Sequence, residues 1–226
     1  HTKDLIKRCA ELGMNSVAIT DHGCLYGVID FYRACKQAGV KPIIGCEVYV
    51  APKSRTDKTF SKVLYHHLVL LCKNETGYKN LMKLNSDAFI NGFYMKPRTD
   101  MEMLGKHSEG LIALSGCLSG AIPSAILAED MAGAEKELKA LKAIFGEDFY
   151  IELQRHGLEE QAKVNSALVA LAKKHSVPLV ATNDVHYIKK EDAQTQRLLM
   201  LIQMGKTVAD SDVGFSTEEF YLKTEQ

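Results

Sequence analysis

In this 226-residue chain, the residues best equipped for chemistry stand where short apolar runs end. Ser16-Val-Ala-Ile-Thr20 runs into Asp21-His22-Gly23, Gly110-Leu-Ile-Ala-Leu-Ser115 into Gly116-Cys117, and Pro178-Leu-Val-Ala-Thr182 into Asn183-Asp184-Val185-His186. Imidazole, carboxylate and thiolate brought together are the donor set of a metal site. Asp184 and His186 are two residues apart, and in an extended segment such residues project to the same side, so both could bind one ion or two adjacent ions. The same alternation separates His66 from His67 and Cys46 from Glu47, so at most one of each pair faces a common site. Glu47 lies inside an apolar run, where an unpaired buried charge costs several kcal/mol. A bound cation removes that cost, and a carboxylate can bridge two ions.

Taken singly, each of these residues has a plainer reading. His22 could be a turn histidine bonded to backbone, Cys117 a small apolar filler, Glu47 the partner of a Lys or Arg, and Asp184 the N-cap of a following helix. That view needs an unrelated reason for each residue, whereas metal binding accounts for all of them. His156, just after Phe149-Tyr-Ile-Glu-Leu153, is either a further site residue or a solvated turn histidine. His107 and His175 read as structural, the latter at a helix end where a histidine suits the dipole. Residues 51–65, with Lys53, Arg55, Lys58 and Lys62, read as a long solvated surface loop, the alternative being the rim of a phosphate site.

Positioning such residues requires a scaffold, and the hydrophobic pattern supplies one. Amphipathic stretches alternate with short β-branched runs, the joint being repeatedly Gly or Pro. Ala134, Leu138, Leu141 and Phe145 fall on one helical face, as do Val164, Leu168 and Leu171. Six strands are expected: the three runs above, Pro42-Ile-Ile-Gly-Cys-Glu-Val-Tyr-Val50, His67-Leu-Val-Leu-Leu-Cys72 and Phe149-Tyr-Ile-Glu-Leu153. Strands apolar on both faces and separated by helices predict an α/β fold with a parallel sheet, open or closed into a barrel. The loops at the carboxyl ends of parallel strands open on one face, which would make the polar groups converge.

Composition narrows the function classes. Apolar residues make up 46% and charged residues 25%, which excludes disorder. Lys+Arg and Asp+Glu both count 28, so no cationic excess exists to hold a nucleic acid, and any DNA contact is local or delegated. The six cysteines form no CxxC pair, which fits a reducing cytoplasm. The longest uncharged stretch, residues 111–128, contains Pro123, two glycines and three serines, and reads as strand, loop and helix start rather than a membrane span. The chain opens on His1 with no signal peptide in view, and reads as a fragment.

Ile19-Thr-Asp-His-Gly23, Lys41-Pro-Ile-Ile-Gly-Cys-Glu-Val-Tyr-Val50, Leu114-Ser-Gly-Cys-Leu-Ser-Gly120, Glu152-Leu-Gln-Arg-His-Gly157 and Val180-Ala-Thr-Asn-Asp-Val-His-Tyr187 together resemble the PHP (polymerase and histidinol phosphatase) domain of bacterial DNA polymerase III alpha subunits. The tail, Gly205-Lys-Thr-Val208 and Phe220-Tyr-Leu-Lys-Thr224, is similar to the segment leading into the polymerase proper. The resemblance implies a distorted TIM-like barrel of seven β/α units over residues 1–205, with 206–226 starting the connection. It implies up to three divalent ions, with His22, Glu47, His67, Cys117, Asp184 and His186 as ligands, and Glu47, Asp184 and His186 as the catalytic set. Asp21 and Asn183 are expected to support the ligands from behind, Asp21 by orienting a histidine. His156 is not among the usual ligands. The family's first strand and its His-x-His motif are expected before residue 1.

Such a site implies metal-dependent phosphoester hydrolysis with water as nucleophile, using Zn, Mn or Fe rather than Mg. The family associates it with 3′-5′ exonuclease proofreading beside DNA and the separate proofreading subunit of the polymerase, an activity expected to be impaired in this fragment, which opens after the first motif. The alternative is a non-catalytic scaffold bracing the polymerase or binding that subunit.

Overall fold

The computed structural model describes residues 1–59, 61–210 and 213–224. Its strands are β1 Ser16–Ile19, β2 Lys41–Val50, β3 His66–Cys72, β4 Arg98–Thr99, β5 Leu111–Leu114, β6 Phe149–Leu153 and β7 Leu179–Ala181. The α-helices are α1 Thr2–Glu11, α2 Val28–Ala38, α3 Glu75–Ile90, α4 Met101–Lys106, α5 Ala121–Leu127, α6 Met131–Phe145, α7 Glu159–His175 and α8 Ala193–Met204. The stretch 111–128 resolves, as its Gly and Pro content requires, into β5, a loop and α5.

The strands form one curled sheet in the order β1-β2-β3-β5-β6-β7, with β4 paired to β2. Helices cover it, as in a distorted TIM-like barrel. The larger core joins β2, β3, β5 and β6 to α3 through α7, and includes Leu70, Leu81, Leu104, Leu138, Phe149 and Leu168. Both predicted helix faces are buried: Ala134, Leu138, Leu141 and Phe145 on α6, and Val164, Leu168 and Leu171 on α7. A smaller core of Ile6, Phe31, Ala34, Cys35 and Val40 seats α1 and α2 against β1.

The expectation of an all-parallel sheet is corrected at β3. It pairs antiparallel with β2, Gly45 opposite Leu71 and Val50 opposite His66, and antiparallel with β5. The cause lies in residues 51–65, among whose described residues there is no helix. A parallel return needs a crossover over the sheet face, whereas a chain without one folds back beside the strand it left. Residue 60 lies outside the described residues. Lys53, Lys58 and Lys62 are exposed, as a surface loop requires, but the loop is anchored from within. Arg55 turns inward to Asp87 and, at 3.0 Å, to Asp100, while Arg98, 2% exposed, donates to the carbonyls of Arg55, Asp57, Leu64 and Gly92.

Of the tail 206–226, residues 211, 212, 225 and 226 lie outside the described residues. The described part folds back on the segment after β7: Tyr187 bridges to Tyr221, and the His186 N–H donates to the Phe220 carbonyl at 2.9 Å.

Candidate metal centre

Glu47 sits in β2 and is 6% exposed. The register of β1 with β2 continues past the end of β1: the Glu47 N–H donates to the Asp21 carbonyl at 3.0 Å, and the Gly23 N–H to the Glu47 carbonyl at 2.9 Å. This lays His22 beside Glu47, its Nδ1 3.4 Å from Oε1. Gly23 is required there, because its φ is +62° and a Cβ would meet the Tyr49 ring at 2.7 Å. From the other side comes His67, second residue of β3, with Nδ1 against the same oxygen. Because β3 runs antiparallel, the beginning of this strand reaches the mouth formed by the carboxyl ends of its neighbours.

One ligand atom each from His22, Glu47 and His67 lies within 4.8 Å of the others. Glu47 Oε1 is buried between the two imidazoles and accepts no hydrogen bond of acceptable geometry. An orphaned carboxylate oxygen facing two ring nitrogens is the arrangement a cation would complete, so the residues fit a divalent ion. Burial pushes the Glu47 carboxyl up, but His22 and His67 outweigh it and bring it down to about 2. The Glu47 side chain raises the His22 imidazole, with burial and the Lys96 charge opposing.

The other expected ligands stand around this trio. Cys117 Sγ is 3.6 Å from His67 Nδ1. Its loop lies directly on β3, since the His67 N–H donates to Ser119 O at 3.1 Å and a Cβ on Gly116 would meet the His67 carbonyl at 2.7 Å. Burial, then the charge of Glu47, pushes the thiol up to about 12, a preference that a bound cation would reverse. The His186 ring centroid is 6.1 Å from that of His22. Its Nδ1 is 2.9 Å from the Asp184 carbonyl, which only accepts, so Nδ1 carries the proton and Nε2 keeps its lone pair for an ion. Strand alternation is not what places this pair. β7 stops at Ala181, and Asp184 has a left-handed φ of 45°. Burial raises the Asp184 carboxyl, partly countered by His186.

Asp21 and Asn183 do different work from that expected. Asp21 Oδ2 accepts from the Gly27 N–H at 3.1 Å, holding the start of α2 rather than a histidine ring. Asn183 donates to the Tyr221 carbonyl and so ties the tail to the centre. His156 is neither ligand nor solvated. It is 1% exposed, its Nε2 faces the Asn183 carbonyl at 3.0 Å, its Nδ1 accepts from Gln161 Nε2 at 2.8 Å, and its ring stacks on Phe220 at 4.1 Å. Both ring nitrogens are used. His66, adjacent to His67, is held down by burial, with Ser119 and Glu137 opposing.

Sequence reasoning assigned no role to Glu152, which organises the interior behind the ligands. At 4% exposure, it accepts from the Gly116 N–H at 3.1 Å, from Gln154 Nε2 at 3.0 Å and from the Thr182 hydroxyl. It thereby joins the loop of Cys117 to the strand end before Asp184. Burial raises its carboxyl, opposed by Thr182 and Gln154. The available signal was a carboxylate at an interior position of an apolar strand, the same signal that singled out Glu47.

A solved structure named as a metal-dependent phosphoesterase, from Bifidobacterium adolescentis ATCC 15703, superposes with a TM-score of 0.52 at 14% identity, covering 81% of this chain and 82% of that one, and so shares the fold. DNA polymerase III subunit alpha of Treponema pallidum (strain Nichols) is 46% identical over 226 residues, covering 98% of this chain and 19% of the relative. The same subunit of Thermus aquaticus is 49% identical over 213 residues, covering 92% and 18%. The chain thus spans about a fifth of the length of these curated relatives. The PHP domain family matches residues 1–156, which carry His22, Glu47, His67 and Cys117 in their observed arrangement, and the chain belongs to the PHP domain family.

Proposed function

We propose that residues 1–205 are the PHP unit of a replicative DNA polymerase III alpha subunit, with 206–226 opening the connection to the polymerase region. Its activity is metal-dependent phosphodiester hydrolysis, a 3′-5′ exonuclease suited to proofreading. Its partners are DNA and the other replication subunits, the proofreading exonuclease subunit among them, in the cytoplasm. No helix among the described residues is long and apolar enough to cross a membrane.

The observation that carries this reading is Glu47 Oε1, buried and unsatisfied between the Nδ1 atoms of His22 and His67. These three hold one ion, and Cys117, Asp184 and His186 extend the set, with Glu47 able to bridge. Imidazole and thiolate donors suit Zn, Mn or Fe better than Mg. Ions bound there supply a water whose pKa is lowered toward about 7 and neutralise phosphate oxygens. The chain's own contribution is placement: Glu47 stays anionic, His186 keeps Nε2 available, and Glu152 fixes the two segments that bear Cys117 and Asp184.

The test is elemental analysis of protein purified without chelator, joined to melting with added Zn or Mn. At an ion concentration about 100 times Kd, binding adds about 2.7 kcal/mol, a rise in Tm of roughly 5–10 °C for a chain of this length. Absence of both metal and shift would sink the reading. Metal binding without digestion of 5′-labelled single-stranded DNA by the longer polymerase chain would favour a scaffold instead.

A further inference from the structure

The turn between α3 and β4 places a cation beside the metal centre. Lys96 Nζ lies 5.7 Å over the ring of Tyr49, and that ring stacks on the imidazole of His22 with centroids 6.4 Å apart. Lys96 is half-buried, and among the described residues it makes no ion pair. A partly desolvated ammonium without a carboxylate is unusual beside a centre that holds Glu47 and Asp184. Exposed lysines elsewhere in the chain do find acids: Lys79 pairs with Glu75, Lys106 with Glu102 and Lys174 with Glu135.

The backbone that carries Lys96 is pinned on both sides. The Tyr94 N–H donates to the Lys96 carbonyl at 3.1 Å, and Met95 adopts a left-handed φ of 64°. Pro97 is buried, and its Cγ is 3.0 Å from where a Cβ on Gly23 would sit, so the turn packs directly on the segment that bears His22. Arg98 follows, locked by its four carbonyl acceptors. Holding a non-glycine residue at positive φ costs on the order of 1 kcal/mol or more and persists where the surroundings impose it. Here that strain fixes where the ammonium emerges.

We propose that Lys96 binds the phosphate of the substrate, its ammonium on the Tyr49 ring taking a non-bridging oxygen of the phosphoester presented to the His22–Glu47–His67 centre. This rests on the phosphoesterase reading and adds a binding residue to it. Metal ions neutralise part of the phosphate charge, and a compact ammonium on a short, fixed turn supplies the rest. Tyr49 gives the cation an apolar seat through its ring face without consuming its charge.

The experiment titrates inorganic phosphate into the Mn- or Zn-loaded 226-residue chain by calorimetry, with metal content measured on the same samples. Lys96→Ala should raise the phosphate Kd about tenfold, or about 1.4 kcal/mol, with metal content unchanged. Lys96→Arg should return it to within about threefold of the parent, whereas Lys36→Ala, on the exposed side of α2, should leave it unaltered. With bis(p-nitrophenyl) phosphate as substrate, Lys96→Ala should raise KM more than it lowers kcat. Equal phosphate affinity in parent and Lys96→Ala overturns the inference and leaves the metal centre standing. So does a loss of metal in Lys96→Ala, which would make the residue structural. A parent chain that takes up no metal overturns both readings together.

Discussion

Replacing Arg98 by Met tests how the loop at 51–65 and the turn of Lys96 are held. Arg98 is 2% exposed, and among the described residues it pairs with no carboxylate. Its charge is met by four carbonyls, Asp57 at 2.7 Å, Arg55 at 3.1 Å, Gly92 at 3.2 Å and Leu64 at 3.3 Å, and by the face of the Tyr94 ring 5.2 Å from Cζ. A hydrogen bond from a charged donor contributes about 1.5–3 kcal/mol net, so the two shorter bonds alone account for at least about 3 kcal/mol. The two longer ones add less, and methionine also removes the cost of burying the charge. These two effects offset one another, which leaves a loss of about 3–4 kcal/mol. Urea unfolding should show a lower midpoint with the slope retained. Limited proteolysis should show earlier cleavage within 51–65, because three of the four acceptors lie there. Lys73→Ala is the contrast: its pair with Asp148 is tight at 2.8 Å but more than half exposed on the lysine side, so its loss should cost less than about 1 kcal/mol. A cost below about 1 kcal/mol for Arg98→Met, with unchanged cleavage, would refute the argument that this guanidinium holds the loop.

Glu47→Ala should weaken Zn or Mn binding at least about 100-fold, against no more than about threefold for His66→Ala, because alternation in β3 turns His67 to the centre and His66 away; equal losses by calorimetry would mean the register is wrong. Asp100 gives a pH signature: burial raises its carboxyl, but the backbone N–H groups of Arg55 and Met103 and the Arg55 guanidinium outweigh it and hold it below its ordinary value. A carboxyl depressed in the folded state stabilises above its unfolded pKa and loses that contribution as pH falls through the folded one. The stability gap between wild type and Asp100→Asn should therefore be constant at neutral pH and shrink below about pH 4, and a gap that widened in acid would contradict this. In the longer polymerase chain, Asp184→Asn should abolish Mn-dependent release from the 3′ end of 5′-labelled DNA, and undiminished digestion by that variant would remove Asp184 from the reaction.

Period alone made much of this molecule legible. The apolar rows of α6 and α7 and the ends of most strands follow from residue spacing, because burial of one helical face or of both strand faces leaves a pattern in the chain itself. The same logic marked Glu47 as a carboxylate out of place and restricted the choice between His66 and His67 to one.

Strand direction was not legible, and for a definite reason: alternation with a period of two reads the same forwards and backwards. Only the connection carries direction, and the described residues of 51–65 form no helix such as a parallel return needs, with Arg55 and Arg98 holding the loop in place through partners far along the chain. His67 reaches the mouth because β3 is reversed, and Asp184 because its backbone turns left-handed beyond β7. The satisfaction of His156 by Gln161 and Asn183, the bond from the Gly27 N–H to Asp21, and the placement of Lys96 over Tyr49 are likewise matters of which groups meet in space. Residue type and spacing determined that metal-binding chemistry was present; long-range pairing decided which atoms face one another, since a hydrogen bond between distant segments leaves no periodic trace in either of them.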